Sequence, residues 1–403
     1  MTLDLGPFGA LPKTRPVPKP YIRSLDSLRT IAALLVPFAH FVVPNSTTTI
    51  AFFQNTDLAV DFFFVLSGFV IALNYWEISG AHPVWRYLRA RFARIYPLHL
   101  LTLFLFLGLE LVKYMGESKL SVKPTYPAFA QNTLGAFVLN VLLLNAHGLT
   151  PSVTFNVPSW SIGAEATCYL LFAAILLITA NSARRVFLIL ATVIAAGILF
   201  GSFPQLRSTS FGVIRGLLGF GLGCTWWVCL KNIVLRRQTD SVGGKASARC
   251  KAGTVNALCL VLITAGAAAL AYRLKYPGIH LFALGVIGLC AANPANPLIQ
   301  TLERIGQGWF GQVSYGVYLW HYFVIWMSSR VLTLLLKYSS VVIDGRLSIQ
   351  CPEWVGNATV VSTLGVTLIV AHLSFKHFES PWRKRLRPTP VAKPIAGTIV
   401  TRR

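Results

Sequence analysis

Charge is what this chain has least of. Asp and Glu together number 13 in 403 residues, and charged side chains of both signs make up 12%. Soluble domains carry about a quarter charged residues, so a water-soluble fold is excluded. The seven cysteines (168, 224, 229, 250, 259, 290 and 351) include no pair at zinc-ligand spacing and form no disulfide framework. Five of them lie in apolar runs, where a thiol packs as a small hydrophobe. Residues 1–23 hold five prolines and four basic residues but no apolar core, which excludes a signal peptide. Internal repeats, coiled-coil heptads and a separate soluble domain are also missing.

Long apolar runs are abundant instead. Apolar residues make up 54% of the chain and the mean hydropathy is +0.61. Runs fall near 26–43, 58–75, 96–113, 131–146, 160–180, 186–203, 211–230, 253–272, 278–292, 311–330 and 357–376. The expected fold class is all-α, a polytopic transmembrane helical bundle. The net charge of +23 suggests nucleic acid only until the charges are placed. They cluster between the runs, at Lys13–Arg23, Arg86–Arg94, Arg184/Arg185, Lys231–Lys251 and Lys376–Arg387, as topology-setting loops do. A nucleic-acid partner is therefore rejected, and lipid headgroups are the expected neighbours of the basic segment 231–252.

The positive-inside rule puts both termini and every cluster in the cytoplasm, in keeping with loop 44–57, which has no Lys or Arg. All clusters on one side require an even number of crossings. The short run 131–146, flanked by Asn132, Asn145 and His147, is the one expected to be re-entrant or interfacial. About ten spans remain, and the expected location is the cytoplasmic (inner) membrane. The expected organisation is a basic, Pro-rich cytoplasmic tail (1–23), a transmembrane domain (24–382) and a basic C-terminal tail (383–403). Nothing in the sequence sets an oligomeric state.

Several polar residues inside these runs are candidates for chemistry. Arg29 and His40 stand eleven positions apart in the first run, about three turns and ~16 Å along one helical face. An ionisable group at that depth is costly and marks a candidate site. Snorkelling of Arg29 and a helix–helix hydrogen bond from His40 are the plainer alternatives. Asp61 in VDFFFVLSGF needs a cation, several donors or exposure to water, and Ser67 suits close helix packing or direct participation. Arg91 and Arg94 are neighbours on a helix face. They serve either as topology anchors or as a fork for phosphate oxygens. In PSWSIGAEAT, Glu165 follows a helix start at Pro158 and Ser159, beside Trp160, where the helix dipole alone would favour it. Tyr318 and His321 in SYGVYLWH share a face, with aromatic-belt anchoring as the alternative. Glu379 in HFESPW reads as a helix stop or a polar site.

Together these stretches resemble the acyltransferase-3 family of polytopic membrane acyltransferases. SLDSLR with His40 is similar to its LDGLR…H pattern, and DFFFVLSGF to VDlFFvLSGF. Arg91 and Arg94 followed by Tyr96 and Pro97 resemble its RxxR-then-YP stretch. WSIGAE is similar to WSLxxE, SYGVYLWH to SYxxYLxH and FESP to FExP. The likeness runs from about Arg23 to Arg385. Ser27, Gly163 and Ala164 depart from the pattern, and no esterase-like domain is appended, which points to the stand-alone form.

The resemblance implies an O-acyltransferase with no bound cofactor, moving an acetyl or other acyl group from acyl-CoA to a hydroxyl of a carbohydrate or glycoconjugate. A neutral His suits the base role near pH 7, so His40, Arg29 and Glu165 are the expected catalytic group. Arg91 and Arg94 are expected to bind the donor, and Asp61, Ser67, Trp160, Tyr318 and His321 to support the acceptor. Direct transfer and an acyl-histidine intermediate both fit. The rival class is a transporter or flippase with a buried His/Arg/Asp path, although no inverted repeat is visible. Transfer to a small secondary metabolite, or a different membrane O-acyltransferase fold, are further alternatives. The latter leaves the Arg29/His40 spacing and the RxxR stretch unexplained.

Overall fold

A computed structural model describes residues 21–48, 50–120, 127–240, 247–272, 274–294, 296–343 and 346–386. The expected tails therefore lie outside the described residues, apart from Tyr21–Arg23 and Arg383–Leu386, as does the centre of the basic segment 231–252.

The chain is almost wholly helical. The helices are α1 (Ser24–Leu35), α2 (Ala51–Gln54), α3 (Ala59–Tyr75), α4 (Ala81–Leu120), α5 (Leu134–Val141), α6 (Trp160–Ile178) and α7 (Ser182–Ser202). They continue with α8 (Gly212–Asp240), α9 (Ser247–Ala271), α10 (Lys275–Ala292), α11 (Pro297–Ile305), α12 (Ser314–Arg330), α13 (Glu353–Ser374) and α14 (Ser380–Leu386). An antiparallel hairpin, β1 (Ser340–Ile343) and β2 (Arg346–Ile349), lies between α12 and α13. Among the described residues, eight helical stretches, those containing α3, α4, α6, α7, α8, α9, α10 and α13, are long and apolar enough to cross a membrane. The first run and the run at 311–330, also expected as spans, are not among them.

Several elements differ from expectation for local reasons. The first run is not one helix: α1 stops at Leu35 and a 3₁₀ turn carries Val36–Ala39. Pro37 has no N–H to give the carbonyl of Ala33, so the α ladder cannot continue through it. A 3₁₀ turn winds faster than an α-helix, which rotates His40 off the stripe that Arg29 occupies. The run 131–146 contains only the eight-residue α5, about 12 Å long and too short to cross. Segment 231–252 is largely helical where described, as the ends of α8 and α9. FESP does not stop its helix: a π-turn at Phe375–Glu379 hands α13 on to α14.

α3 forms the centre of the bundle, with most of its residues buried. It meets α8 backbone to backbone, the close approach that small residues permit in membrane bundles. A Cβ on Gly68 would lie 1.9 Å from the Phe220 carbonyl oxygen, and one on Gly223 2.0 Å from that of Val65. On the outside, α7 and α9 present Phe187, Ile194, Ile198, Leu260 and Val261 to the surroundings. Such side chains are at home among lipid tails, which are as apolar as Leu.

α4 is a single rod of 40 residues with Pro97 inside it. Near its far end, Glu110 accepts from Phe129 N at 2.8 Å and Asn132 Nδ2 at 2.8 Å, and Glu117 from Ala128 N at 2.7 Å.

Candidate functional site

Five helices turn one stripe each toward a cavity of about 70 Å³ inside the bundle. α1 supplies Arg29, α3 Phe63 and Ser67, α4 Arg91 and Arg94, α6 Ser161, Glu165 and Tyr169, and α12 Ser314, Tyr315 and Tyr318. On α3, α4 and α6 these residues fall three or four apart, as do Ser314 and Tyr315 from Tyr318 on α12, the spacing that shares a face.

The cavity adjoins a wider mouth of about 660 Å³, lined by Tyr21, Arg23, Asp26, Asn74, Tyr75, Gln307 and Arg383 among others. Arg29, Val70, Arg91 and Arg94 line both, so three guanidiniums stand at the neck. Both ends of the described chain, at Tyr21 and Arg383, come to this mouth.

The three arginines differ in how far they are satisfied. Arg29 pairs with Asp26 at 3.0 Å, and Asp26 also accepts from the Tyr21 hydroxyl. Arg91 donates from Nη2 to the Tyr75 hydroxyl at 3.1 Å and lies over that ring, 5.3 Å from its centroid. Its Nε is buried with no hydrogen-bond partner among the described residues. Arg94 makes no hydrogen bond or ion pair among them. Guanidinium donors left over in this way are matched to phosphate or carboxylate oxygens.

Deeper in, Glu165 Oε1 accepts from Ser67 Oγ at 2.7 Å and from the Tyr169 hydroxyl at 2.5 Å. Its carboxylate thus faces the cavity, one helix away from the arginines. The Tyr318 hydroxyl donates to the Pro158 carbonyl at 2.9 Å and lies 2.7 Å from Ser161 Oγ. The start of α6 is held by a buried amide network. Asn145 Nδ2 donates to Asn140 Oδ1 at 3.0 Å and to Ser159 Oγ at 3.1 Å, and His99 Nε2 lies 2.9 Å from the Asn140 carbonyl. Gly163, one of the sequence departures, belongs to this arrangement: a Cβ there would lie 2.4 Å from Asn145 Oδ1. Glu379, buried at 3% exposure, pairs with Arg383 at 3.3 Å beside the mouth.

The structure brings Arg29, Arg91, Arg94, Ser67, Glu165 and Tyr318 together and leaves four other sequence candidates outside the cavity wall. Asp61 is fully buried and held by Arg215 through two bonds, Nε–Oδ1 at 3.1 Å and Nη2–Oδ2 at 2.6 Å. The same guanidinium lies over the rings of Trp160 (5.0 Å) and Tyr276 (5.1 Å). Asp61 and Trp160 thus form a scaffold joining α3, α6 and α8. His40 and His321 lie beyond Tyr318, with ring centroids 5.2 Å apart. His40 Nδ1 is 3.1 Å from the Val36 carbonyl. A carbonyl can only accept, so Nδ1 carries the proton and Nε2 the lone pair of the neutral ring.

Sequence reasoning missed Arg215, Ser161 and Tyr169. Arg215 is an isolated cation in the run 211–230, itself a signal. Ser161 and Tyr169 stand four residues either side of Glu165, on its face.

The acyltransferase domain family matches residues 22–375. The chain is 26% identical over 388 residues to the peptidoglycan O-acetyltransferase OatA of Listeria monocytogenes, covering 90% of this chain and 56% of that protein. It therefore spans little more than half of that relative's length. It is 28% identical over 396 residues to the acyltransferase MdmB of Streptomyces mycarofaciens, covering 92% of this chain and 94% of that one. A third relative, Protein 2 in picA locus of Rhizobium radiobacter, is 32% identical over 154 residues, 35% of this chain and 75% of that protein. No solved structure matches. With the matched region running from the start of α1 into the π-turn after α13, the chain belongs to the acyltransferase-3 family of membrane acyltransferases.

Proposed function

We infer that the protein transfers an acyl group, acetyl foremost, from acyl-CoA to a hydroxyl of a carbohydrate or glycoconjugate of the cell envelope. The observation that carries this reading is the neck of three arginines shared by the mouth and the inner cavity. CoA is a polyanion with a long uncharged arm ending in the thioester. Its phosphates suit the spare donors of Arg91 and Arg94, and its arm suits the narrow passage beyond them. The mouth is lined by Tyr21 and Arg383, next to the two tails that the positive-inside rule assigns to the cytoplasm, where acyl-CoA is made. Envelope glycan as the acceptor is supported by the likeness to the Listeria O-acetyltransferase.

In the proposed reaction His40 Nε2 takes the proton of the acceptor hydroxyl as its oxygen attacks the thioester carbonyl carbon. The C–O bond forms, the C–S bond breaks, and the proton passes on to the departing thiolate, giving an ester and CoA. Tyr318, which lines the cavity, would stabilise the developing oxyanion by turning its hydroxyl proton away from the Pro158 carbonyl. Glu165, with Oε1 occupied by Ser67 and Tyr169, presents its charge to the acceptor or to the amide groups of the arm.

Labelled acetyl-CoA supplied to membranes containing the protein, followed by mass spectrometry of the envelope glycans, tests the reading. The wild type is expected to label glycan, and His40→Ala to be inserted and inactive. Normal acetylation by His40→Ala would remove His40 from the base role. Labelling that ignores acetyl-CoA would remove the donor assignment.

A further inference from the structure

The cavity stops short of the histidine that the proposed chemistry uses as base, and stacked rings are the reason. Phe63 and Tyr318, which line the cavity, meet edge to face with centroids 5.8 Å apart. Tyr318 is 5.8 Å from His321, and His321 is 5.2 Å from His40. Neither histidine lines the cavity. His321 is the ring directly between Tyr318 and His40.

The rings in this row are not equally fixed. Tyr318 is held through its hydroxyl by Pro158 and Ser161. His40 is held through Nδ1 by the Val36 carbonyl. His321 is 0% exposed, yet neither Nδ1 nor Nε2 makes a hydrogen bond of good geometry among the described residues; the backbone of Val317 and Tyr318, one turn back, is the nearest polar contact. Burying polar atoms without partners carries their desolvation penalty uncompensated, so this is a position the ring has reason to leave.

Building on the acyl-CoA reading above, we propose that His321 is a specificity residue, a movable partition that keeps the thioester away from His40 until an acceptor hydroxyl arrives to partner its nitrogens. The need for one follows from the chemistry. Water can replace the alcohol in every step: its oxygen bonds to the carbonyl carbon, the C–S bond breaks, and its proton passes through His40 to the thiolate, leaving a free acid and CoA. Water is smaller than any alcohol, so no pocket that admits the acceptor can exclude it by size. Closure until the correct substrate is present is the general remedy for such wasteful hydrolysis.

The test uses the full-length protein in lipid nanodiscs with acetyl-CoA and no acceptor, and CoA release is followed by chromatography. The wild type is expected to release CoA slowly. His321→Ala removes the partition, so release should rise about tenfold or more with the KM for acetyl-CoA unaltered. Adding His40→Ala should return it to background. His321→Phe keeps the ring and discards both unpartnered nitrogens; its Tm should rise and its CoA release fall below the wild type. Release by His321→Ala no faster than wild type, or a leak that survives His40→Ala, would overturn the proposal. If His321→Ala does not fold, His321→Phe decides alone: a lowered Tm or wild-type release overturns it. Calorimetric binding of CoA to the wild type separates the two readings. Binding without a leak refutes the partition alone, and no binding refutes the donor assignment and the partition with it.

Discussion

Two groups of arginines lie inside this bundle, and they are treated differently. Arg215 is spent: Asp61 takes two of its donor groups and Trp160 and Tyr276 cover its faces. Arg185 is likewise satisfied, by the backbone carbonyls of Thr179 (2.9 Å), Ile78 (2.9 Å) and Trp76. At the neck, Arg91 keeps an unpartnered Nε and Arg94 has no hydrogen bond or ion pair among the described residues. A buried cation paired with a carboxylate and covered on its faces is structural, whereas one left without a counter-charge is set for an anion that arrives from outside. The contrast is more informative than the presence of arginine in an apolar run, which both groups share.

The largest effect is expected where the cation is spent. Asp61→Ala strands the Arg215 charge, and breaking a buried pair from one side costs about 3–5 kcal/mol. The expected outcome is a steep fall in Tm and in the yield of folded protein from detergent; a wild-type Tm would erase the distinction drawn here. Next comes the neck. Arg91→Ala and Arg94→Ala should each raise the KM for acyl-CoA about tenfold or more, because a hydrogen bond to a charged group is worth ~1.5–3 kcal/mol and ~1.4 kcal/mol is a factor of ten. Their Tm should stay close to wild type, and a donor affinity that does not move would return both residues to topology. Glu165→Gln keeps an oxygen for Ser67 and Tyr169 but removes the negative charge across from the arginines. Here kcat should fall while the KM for acyl-CoA holds or drops; a raised KM would mean that Glu165 positions the arginines rather than serving the reaction. The smallest effect belongs to Arg89, exposed and donating to the Leu386 carbonyl at 2.8 Å. Arg89→Ala should shift stability by no more than about 0.5 kcal/mol and leave donor kinetics alone.

The site was legible where it depended on spacing within one helix. Arg91 and Arg94 share a face because they are three apart, and they do meet at the neck. Ser67, Glu165 and Tyr318 were likewise readable as polar points in apolar runs. What the sequence concealed was tertiary. The cation for Asp61 comes from 154 residues away, and no periodicity links the two. The ring that separates His40 from the cavity depends on how α12 packs beside the end of α1. The broken first helix was different: Pro37 was in plain view, and the 3.6-residue period was extended through it regardless. The bundle itself followed from composition, since few charges and many long apolar runs leave little choice.

α4 carries one last implication. At ~1.5 Å per residue its 40 residues measure about 60 Å, roughly twice the ~30 Å hydrocarbon layer. It must therefore project well past the lipid tails. Arg91 and Arg94 ride near one end, while Glu110 and Glu117 grip the segment at 128–132 near the other. A beam anchored in this way carries tilt, so a displacement of that distant segment would be passed along to the neck where Arg91 and Arg94 stand.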